Sequence, residues 1–594
     1  MALLGILSLA QIWFIPGYLV LQPMRNVNPI DKMLLAVPIS AVFNFFVVYL
    51  LVLLNLYNQS VVITLFIIEM LFLIYLKKIH KPQNGHASQF TANKIIISIN
   101  FTNIIFGLLT VICFSQFLYQ FGTVFTQGDA VFSWNHWAIS WYDGKIPNGI
   151  SWYPQLLPTL YSITYKFIEN SQVELFAKIA VSIYPLIVIA LFLRIAVLLP
   201  SERNKILWSG IIFFALVRRL WGSESNLNGY ADFPLTLFSV SIFYAFVLAA
   251  IQKKELHSQF SLTIPAILIY LAIGAGLMKQ SGVYLGVLVP FVWLVYFQNH
   301  CNRPKHIKHS ILMGLLIASG YCTWYFYQYY RMSIGVEESN LKQLASIVSL
   351  PWYESIVYGF KGITKKLSWL WVAVFISSIF NSKIRYLSLV VVTPFILLWA
   401  AFVPYDYRNL APVFPFFAIS LTYGWVKLTE QSKEILNITK IKSAHLQKGF
   451  IFLILAGISI ALLNPKYKNE LLQISLSAKK QIGDPDINHL LIAYFAIHPE
   501  HSLLATPYTE ISKIPELSDR FQPFSCRLGN QSNGYESDMK TLLSRLNNPS
   551  IRYILLLPWC DAVILNYFLS HSEKYNVIFK HKGTVFFKIS DKDF

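Results

Sequence analysis

Apolar residues fill most of the chain, in runs long enough to cross a membrane. A helix of about 20 apolar residues spans the roughly 30 Å hydrocarbon core of a bilayer. The pattern predicts a polytopic α-helical membrane protein with about 14 transmembrane helices. The apolar runs lie near residues 1–22, 33–56, 59–76, 95–121, 172–199, 206–218, 230–251, 262–278, 282–298, 310–330, 367–381, 386–403, 409–428 and 449–464.

Basic residues mark every second connection between these runs, as at Lys77–Lys81 and Arg303–Lys308. Basic loops stay on the cytoplasmic side of a membrane. We therefore expect the other connections, the N-terminus and everything after Asn464 to be extracytoplasmic. The first run has no basic leader and no Ala-x-Ala cleavage site, so we expect it to be retained as the first span.

Two long connections on the extracytoplasmic side, roughly 122–171 and 331–366, have the pattern of interfacial helices. Trp134, Trp137 and Trp141 recur in the first at helical spacing. Indole rings suit the headgroup level of a bilayer, so we expect this stripe to anchor the loop in the membrane. Stacking on a sugar is the alternative.

Hydropathy falls after Lys466, and the remaining residues have the pattern of a small α/β domain. Its cysteines, Cys526 and Cys560, either pair in an oxidising compartment or stay as two thiols. The predicted elements are strands at 502–506 and 552–557, a helix at 538–546, and a hairpin at 576–589 that turns at Lys582–Gly583. The sequence thus predicts three parts: N-terminal transmembrane helices of unassigned role at 1–94, a transmembrane catalytic module at 95–464, and a soluble extracytoplasmic α/β domain at 465–594.

Composition narrows the class of protein. Of 594 residues, 55% are hydrophobic and 13% are charged, which exceeds what a soluble core can bury. The net charge is +19, and the Lys and Arg residues responsible for it cluster in the loops between apolar runs. The charge therefore indicates membrane topology rather than nucleic-acid binding. The sequence has no nucleotide-binding glycine motif and no Cys or His pair with zinc-like spacing. We expect no ATP-driven transport and no firm cofactor.

Two acids stand in extracytoplasmic loops. Asp129 follows Gly128 and either caps a helix that begins at Ala130 or acts as a general base. Asp232 begins a span, where capping is again the ordinary role. The loop before Asp232 also carries Glu224 and the pair Arg218–Arg219, so both charge signs cluster there.

Two cations lie on the same side as these acids. Lys279 interrupts an apolar hairpin and needs an anion or a path to the headgroups. Arg408 has Asp406 as a local partner. A lipid phosphate is the alternative partner for both. Glu69 and Arg194 lie inside or near the ends of apolar runs; Arg194 is close enough to the cytoplasmic end to snorkel, whereas Glu69 has no assignable partner.

Four short motifs in this order resemble the GT-C superfamily of integral-membrane glycosyltransferases, over about residues 95–430. The resemblance is to bacterial relatives of protein O-mannosyltransferases and of the lipid A aminoarabinose transferase. The motifs are Tyr-Pro-x-Leu-x-Pro at 153–158, Tyr-Ala-Asp-x-Pro at 230–234, Lys-x-x-Gly at 279–282, and Arg408-Asn409.

The resemblance implies a GT-C-like fold and transfer of a sugar from a polyprenyl-phosphate donor to a lipid, glycan or protein acceptor. Asp129 would be the base and Asp232 a second acid. The implied donor-phosphate ligands are Lys279, Arg408, Arg218 and Arg219. Candidate substrate contacts are His136, Asp143, Tyr153, Glu224 and Gln280.

The sequence departs from the family pattern in three places. Ala130 stands where many members have a second acid, so a divalent cation is not favoured and no metal ligands are assigned. Trp152–Tyr153 replaces a charged residue before the proline segment. Three additional spans precede the region of resemblance.

The sequence therefore predicts an inverting glycosyltransferase in the inner (plasma) membrane, with its active site and C-terminal domain extracytoplasmic. The alternative is a transporter or flippase of a lipid-linked glycan. Transporters concentrate polar residues at the bilayer midplane, whereas here they gather at one interface, with Glu69 the main exception. We expect Asp129, Asp232, Lys279 and Arg408 to converge.

Overall fold

The computed structural model covers the 594-residue chain. The residues that it describes are 1–24, 27–79, 101–119, 125, 129–148, 150, 152–221, 229–255, 263–297, 303–336, 351–404, 406–435, 485–498, 502–507, 520–523, 539–546, 549–558, 560–581 and 583–590. They divide into two compact units: the first draws on 1–125, 134–340 and 350–478, and the second on 126–133, 341–349 and 479–594.

The first unit is entirely helical in its described residues. Seven of its helical stretches are long and apolar enough to cross a membrane, and four shorter apolar helices accompany them. The chain is thus a multi-pass membrane protein. The helices are α1 (Ala2–Trp13), α2 (Ile15–Leu21), α3 (Pro29–Leu53), α4 (Gln59–Ile79), α5 (Phe101–Tyr119), α6 (His136–Tyr142), α7 (Leu156–Ile168), α8 (Leu175–Ser182), α9 (Tyr184–Leu198), α10 (Arg203–Trp221), α11 (Asp232–Glu255), α12 (Thr263–Met278), α13 (Val283–Phe297), α14 (Arg303–Ser333), α15 (Trp352–Leu367), α16 (Trp369–Ile379), α17 (Thr393–Phe402) and α18 (Phe414–Ile435).

The apolar runs predicted from sequence coincide with these helices, except that the last, 449–464, lies outside the described residues. Short irregular helices precede several of them. π-Helical turns lie at Ala130–Asn135 and Leu387–Val392, and 3₁₀ turns at Pro200–Glu202, Gln280–Gly282 and Tyr407–Val413. The described residues do not establish the predicted count of 14 spans, because only seven of their helices are both long enough and apolar enough to cross a membrane.

Helix α7 corrects the prediction that 122–171 lies on the membrane surface. Every residue of α7 except Lys166 is buried, and the helix packs against α1, α3, α4, α6 and α8. Its hydroxyl groups are satisfied inside the bundle: Ser162 Oγ lies 3.0 Å from the hydroxyl of Tyr57. The hydroxyls of Ser, Thr and Tyr gave α7 a polar appearance, although they bond within the protein.

The tryptophan stripe is also inside the protein, so the prediction of membrane anchoring was wrong. Trp134, Trp137 and Trp141 are 5%, 7% and 0% exposed. The indole N–H of Trp141 donates to Gln155 Oε1 over 3.1 Å, and its ring contacts Trp324. Their burial leaves no indole face for sugar stacking either.

Helix α15 agrees with the prediction of an interfacial helix in 331–366. Its apolar residues Trp352, Tyr353 and Val357 are 52–65% exposed, and they are followed by the exposed Lys361 and Lys365. An exposed apolar stripe beside lysines is typical of a helix that lies in the headgroup region.

The second unit contains a five-stranded sheet with strand order β2-β1-β3-β5-β4. Strands β1, β2 and β3 pair in parallel, whereas β5 is antiparallel to both β3 and β4. The strands are β1 (Leu503–Thr506), β2 (Phe521–Pro523), β3 (Ile551–Leu556), β4 (Tyr575–His581) and β5 (Thr584–Ile589), and the helices are α19 (Pro485–Ile497), α20 (Met539–Leu546) and α21 (Ala562–Ser570).

The predicted small α/β domain is therefore present, with its elements within two residues of their predicted bounds. Gly583 turns the β4–β5 hairpin at a φ of +82°, a conformation that glycine adopts readily. Cys560 is disulfide-bonded, whereas Cys526 lies outside the described residues. The proposed division of the chain at 94 and 464 stays a prediction.

Candidate functional site

Asp232 is placed by a tight turn at the start of α11. Gly229 has a φ of +86°, and a Cβ there would lie 2.4 Å from the ring of Phe125, so no larger residue fits. The hydroxyl of Tyr161 donates to the Gly229 carbonyl over 3.1 Å and fixes this turn. Asp232 then enters α11 with only 4% exposure.

Lys279 is placed by the reversal between α12 and the 3₁₀ turn at Gln280–Gly282. Its backbone is extended, with φ −156° and ψ 149°. A Cβ on Gly282 would lie 2.0 Å from the carbonyl oxygen of Ala275, so the reversal requires glycine. This close approach explains the Lys-x-x-Gly spacing, because the glycine lets the chain fold back immediately after the lysine.

Lys279 and Asp232 form a buried ion pair. Lys279 Nζ lies 2.5 Å from Asp232 Oδ1, and the side chains are 11% and 6% exposed. Burial opposes the charge on Lys279, but the carboxylates of Asp232 and Asp406 outweigh it and raise the pKa of Lys279. The lysine is therefore a fixed cation, and Asp232 is engaged in holding it.

Asp406 and Arg408 lie next to this pair, at the start of the 3₁₀ turn Tyr407–Val413. Asp406 Oδ1 accepts hydrogen bonds from the Arg408 backbone N–H over 3.0 Å and from its Nε over 3.1 Å. The local salt bridge anticipated from sequence is thus formed. The Arg408 guanidinium lies 5.0 Å from the ring centroid of Tyr230, two residues before Asp232.

Lys366 and Arg219 extend the cluster and join α15 to α10. Arg219 Nε donates to the Lys366 carbonyl over 2.9 Å, and Lys366 Nζ donates to the Leu220 carbonyl over 3.1 Å. The Lys366 ammonium also lies 4.2 Å from the ring centroid of Tyr407. Burial lowers the pKa of Lys366, Arg219 lowers it further, and Asp406 opposes them.

The cluster carries an excess of positive charge. Among the described residues its cations are Lys279, Arg408, Arg219 and Lys366 and its carboxylates are Asp232 and Asp406, so four positive and two negative charges leave +2 in that part of the chain. The heads of Arg219 and Arg408 are at least partly exposed. An anion with two negative charges would neutralise this cluster.

Lys366 was not identified from the sequence. It follows Lys365 at the end of an amphipathic helix, where two lysines ordinarily face solvent or headgroups. The structure instead places the Lys366 ammonium beside the ring of Tyr407. Nothing in the local sequence names Asp406 or Tyr407 as its neighbours.

Asp129 belongs to the second compact unit, together with the other residues of 126–133. It is exposed and immediately precedes the π-helical turn Ala130–Asn135. The residues that flank its loop are held by one carboxylate. Glu174 Oε2 accepts from the Phe125 backbone N–H over 2.7 Å, and Oε1 accepts from Asn135 Nδ2 over 2.9 Å.

Asn135 is held on its other side as well. Its side-chain oxygen accepts a hydrogen bond from the hydroxyl of the fully buried Tyr165. A carboxylate that accepts from a backbone N–H and an amide forms charge-assisted bonds, which are stronger than neutral ones. Glu174 therefore fixes both ends of the loop that carries Asp129, and the sequence alone did not single it out.

Other candidate contacts are dispersed. Tyr153 is 39% exposed, packs on Trp137 with ring centroids 5.7 Å apart, and acts electrostatically on Lys279. Gln280 directly follows Lys279, and Arg218 is exposed beside Arg219. His136 begins α6, and Asp143 ends it and interacts with Lys166. Glu224 lies outside the described residues.

The two ionisable residues within apolar runs both have partners. Arg194 does not snorkel; its Nε lies 2.6 Å from Asp31 Oδ1, which also accepts from the hydroxyl of Tyr244. Glu69 Oε2 accepts a hydrogen bond from Gln11 Nε2 over 3.0 Å. No group of three or more His, Cys, Asp or Glu side chains suited to a metal occurs within the described ranges.

Comparison with known proteins finds structural neighbours, of which two are as follows. No family model matches the chain, and no curated protein matches it. ArnT from Cupriavidus metallidurans bound to undecaprenyl phosphate is 12% identical, with a TM-score of 0.43, over 82% of this chain and 98% of that chain. The archaeal oligosaccharyltransferase AglB from Archaeoglobus fulgidus, in complex with an inhibitory peptide and a dolichol-phosphate, is 12% identical, with a TM-score of 0.40, over 83% of this chain and 75% of that chain.

At these identities and TM-scores, neither likeness assigns a function, or a role to any residue, of this chain.

Proposed function

We propose that the protein is a glycosyltransferase that uses a sugar carried on a polyprenyl phosphate. The observation that carries the proposal is the +2 cluster around Lys279 and Arg408, which lies where apolar helices α11 and α12 meet polar turns. A lipid-borne phosphate brings its charge to such a boundary while its prenyl chain stays in hydrocarbon. A soluble phosphate donor has no need of apolar helices beside its binding site.

In the proposed reaction, an acceptor hydroxyl attacks the anomeric carbon of the donor sugar. The new glycosidic bond forms as the bond between that carbon and the phosphate oxygen breaks, and the configuration inverts. The acceptor proton passes to Asp129, and polyprenyl phosphate leaves with the bonding electrons. Fixed cations at the leaving phosphate stabilise the charge that develops there.

The two acids have different roles in this proposal. Asp129 is exposed, and its loop is fixed by Glu174, as a general base requires for its position to be defined. Asp232 is buried against Lys279, so we assign it the orientation of that lysine rather than direct contact with substrate. Arg408 and Arg219, with more exposed heads, then contact the phosphate.

The proposed setting is the inner (plasma) membrane, with the site and the C-terminal domain extracytoplasmic. The basic connections support this orientation, because they alternate with those that carry Asp129, Asp232, Lys279 and Arg408. The acceptor is a lipid, a glycan or a protein bearing a free hydroxyl.

Sugar transfer by purified protein, with a polyprenyl-phosphate sugar and a membrane-extract acceptor, tests the proposal. Asp129→Asn should reduce turnover at least about 100-fold, the usual contribution of a general base. Glu169→Gln removes another exposed acid from the same long connection and should leave turnover within about twofold. Equal activity of Asp129→Asn and the wild-type protein would remove Asp129 as the base.

The transporter alternative has one observation in its favour. Gln11, Asn44 and Glu69 form a polar cluster on three membrane-spanning helices, beside the break between α1 and α2. Transporters place binding sites on such discontinuous helices. Movement of a fluorescent lipid-linked sugar across proteoliposomes, without formation of a glycosylated product, would support that function over glycosyl transfer.

A further inference from the structure

A small pocket, lined by four polar and six apolar residues, lies among α1, α3, α4, α7 and the connection between α3 and α4. Its cavity volume is about 20 Å³, which holds one water-sized particle. Glu69 lies ten residues beyond the start of α4, about 15 Å along the helix and therefore near the middle of the span. The polar residues of its lining are Gln11, Asn44, Tyr57 and Glu69.

The pocket holds oxygen atoms in excess of hydrogen-bond donors. Gln11 Nε2 donates to Glu69 Oε2 over 3.0 Å and to Asn44 Oδ1 over 3.1 Å. Asn44 Nδ2 in turn donates to the Gln11 backbone carbonyl over 3.0 Å. Gln11 is 6% exposed, yet its buried Oε1 accepts no hydrogen bond from any described residue. A buried amide oxygen without a donor costs about 1–3 kcal/mol unless a ligand satisfies it.

Glu69 is the acid among the polar residues that line the pocket. In the part of the chain that the structure describes, its hydrogen-bond partner is the neutral amide of Gln11. The adjacent Ile68 and Leu71 are 54% and 60% exposed, so this part of α4 faces the hydrocarbon of the membrane. A carboxyl group in such a place is either protonated or paired with a compensating positive charge.

The first span is broken close to Gln11. Helix α1 ends at Trp13 and α2 begins at Ile15, with Phe14 at φ −131° and ψ −47°. Pro16 has no N–H, so the Ile12 carbonyl lacks its helical donor. Broken helices with free carbonyls near the midplane are the arrangement by which membrane proteins hold monovalent cations.

We propose that Glu69, Gln11 and Asn44 form a binding site for one monovalent alkali cation. One carboxylate balances one positive charge, and a divalent ion would leave an uncompensated charge in hydrocarbon. Carboxylate and amide oxygens are the ligands that hard cations prefer. The site is separate from the cluster around Lys279, and the inference does not depend on glycosyl transfer.

Thermal unfolding of the purified full-length protein tests this site. Sodium or potassium chloride replaces N-methyl-D-glucamine chloride at constant ionic strength, from about 1 to about 200 mM. Because an ion that binds only the folded state stabilises it, the Tm should rise with the logarithm of alkali-cation concentration. Radioactive sodium or potassium should bind at one ion per chain.

Glu69→Gln should abolish both the Tm rise and the ion binding. The substitution is isosteric, keeps an acceptor for Gln11 and removes a charge from hydrocarbon, so the variant is expected to fold. Asn44→Ala should weaken ion binding at least about tenfold by removing one oxygen ligand. Glu169→Gln, an exposed acid, serves as the matched control and should respond like the wild-type protein.

Three results would overturn the proposal. The first is an equal Tm in all three cations together with no bound radioactive ion. The second is an unchanged cation response in Glu69→Gln. The third is a stability that follows pH through Glu69 and is insensitive to sodium and potassium, because the occupant would then be a proton.

Discussion

Removing the carboxylate of Asp232 should destabilise the protein through Lys279. The two side chains are 11% and 6% exposed, with their charged atoms 2.5 Å apart. Removal of one partner from a buried ion pair costs about 3–5 kcal/mol, because the other charge stays buried. Asp406 also acts on Lys279, so we expect Asp232→Asn to cost about 3 kcal/mol, the lower end of that range.

A double-variant cycle separates this coupling from other effects. Lys279→Met fills similar volume without a charge, and the combination with Asp232→Asn removes the pair completely. We expect the double variant to lose about 2 kcal/mol less than the sum of the single losses. Asp143→Asn, an exposed acid, is the control and should lie within about 0.5 kcal/mol of the wild-type protein.

The assay is reversible unfolding in mixed micelles with increasing denaturing detergent, followed by tryptophan fluorescence. An Asp232→Asn loss below about 1 kcal/mol, with additive effects in the double variant, would refute the reasoning. Lys279 would then be held by groups other than Asp232, and the assignment of Asp232 as its positioning residue would fall.

Two further predictions concern the loop of the candidate base and the charge on Lys279. Glu174→Gln keeps the shape of the side chain but replaces one of its two acceptor oxygens with an NH2 group, so one hydrogen bond to the flanks of the Asp129 loop is lost and the other is weakened. We therefore expect kcat to fall about tenfold while the donor KM stays constant. Glu169→Gln is the control, and a changed donor KM with normal kcat would contradict the prediction. Because the pKa of Lys279 is raised, its stabilising contribution is complete below its ordinary pKa and is lost as the pH rises through the higher folded-state value. The stability difference between the wild-type protein and Lys279→Met should therefore be constant from neutral pH to about pH 10 and shrink only above it; a decline between pH 7 and 9 would argue against the ion pair.

The regular elements could be predicted because their signals are local. Alternating residues and Gly583 located the β4–β5 hairpin, and apolar run length located the membrane helices. The burial of helix α7 was missed because its hydroxyl groups give it the polarity of a surface helix until their partners, such as Tyr57, are known. The tryptophan stripe failed for a related reason: an indole suits a headgroup layer and a protein interior equally well.

The candidate site could be predicted only as separate pieces. Lys279 and Gly282 lie in one short turn, so their spacing is visible in the sequence. Contacts between distant segments are not: Asp232 and Lys279 are 47 residues apart, and Arg219 and Lys366 are 147 apart. The hydrogen bonds of Glu174 to Phe125 and Asn135 join segments that are far apart in the sequence, and no hydrophobic periodicity predicts such a contact.

The burial of α7 has a consequence for the N-terminal helices. Residues of α1, α3 and α4 form the surroundings of α7, and Gln59 donates to the Phe167 carbonyl over 2.9 Å. In a protein truncated to begin at α5, hydroxyl-bearing residues such as Ser162 would contact lipid acyl chains instead of partners such as Tyr57. The N-terminal helices thus surround α7 in place of lipid. The additional spans therefore help to hold α7, which lies in the same connection as Asp129.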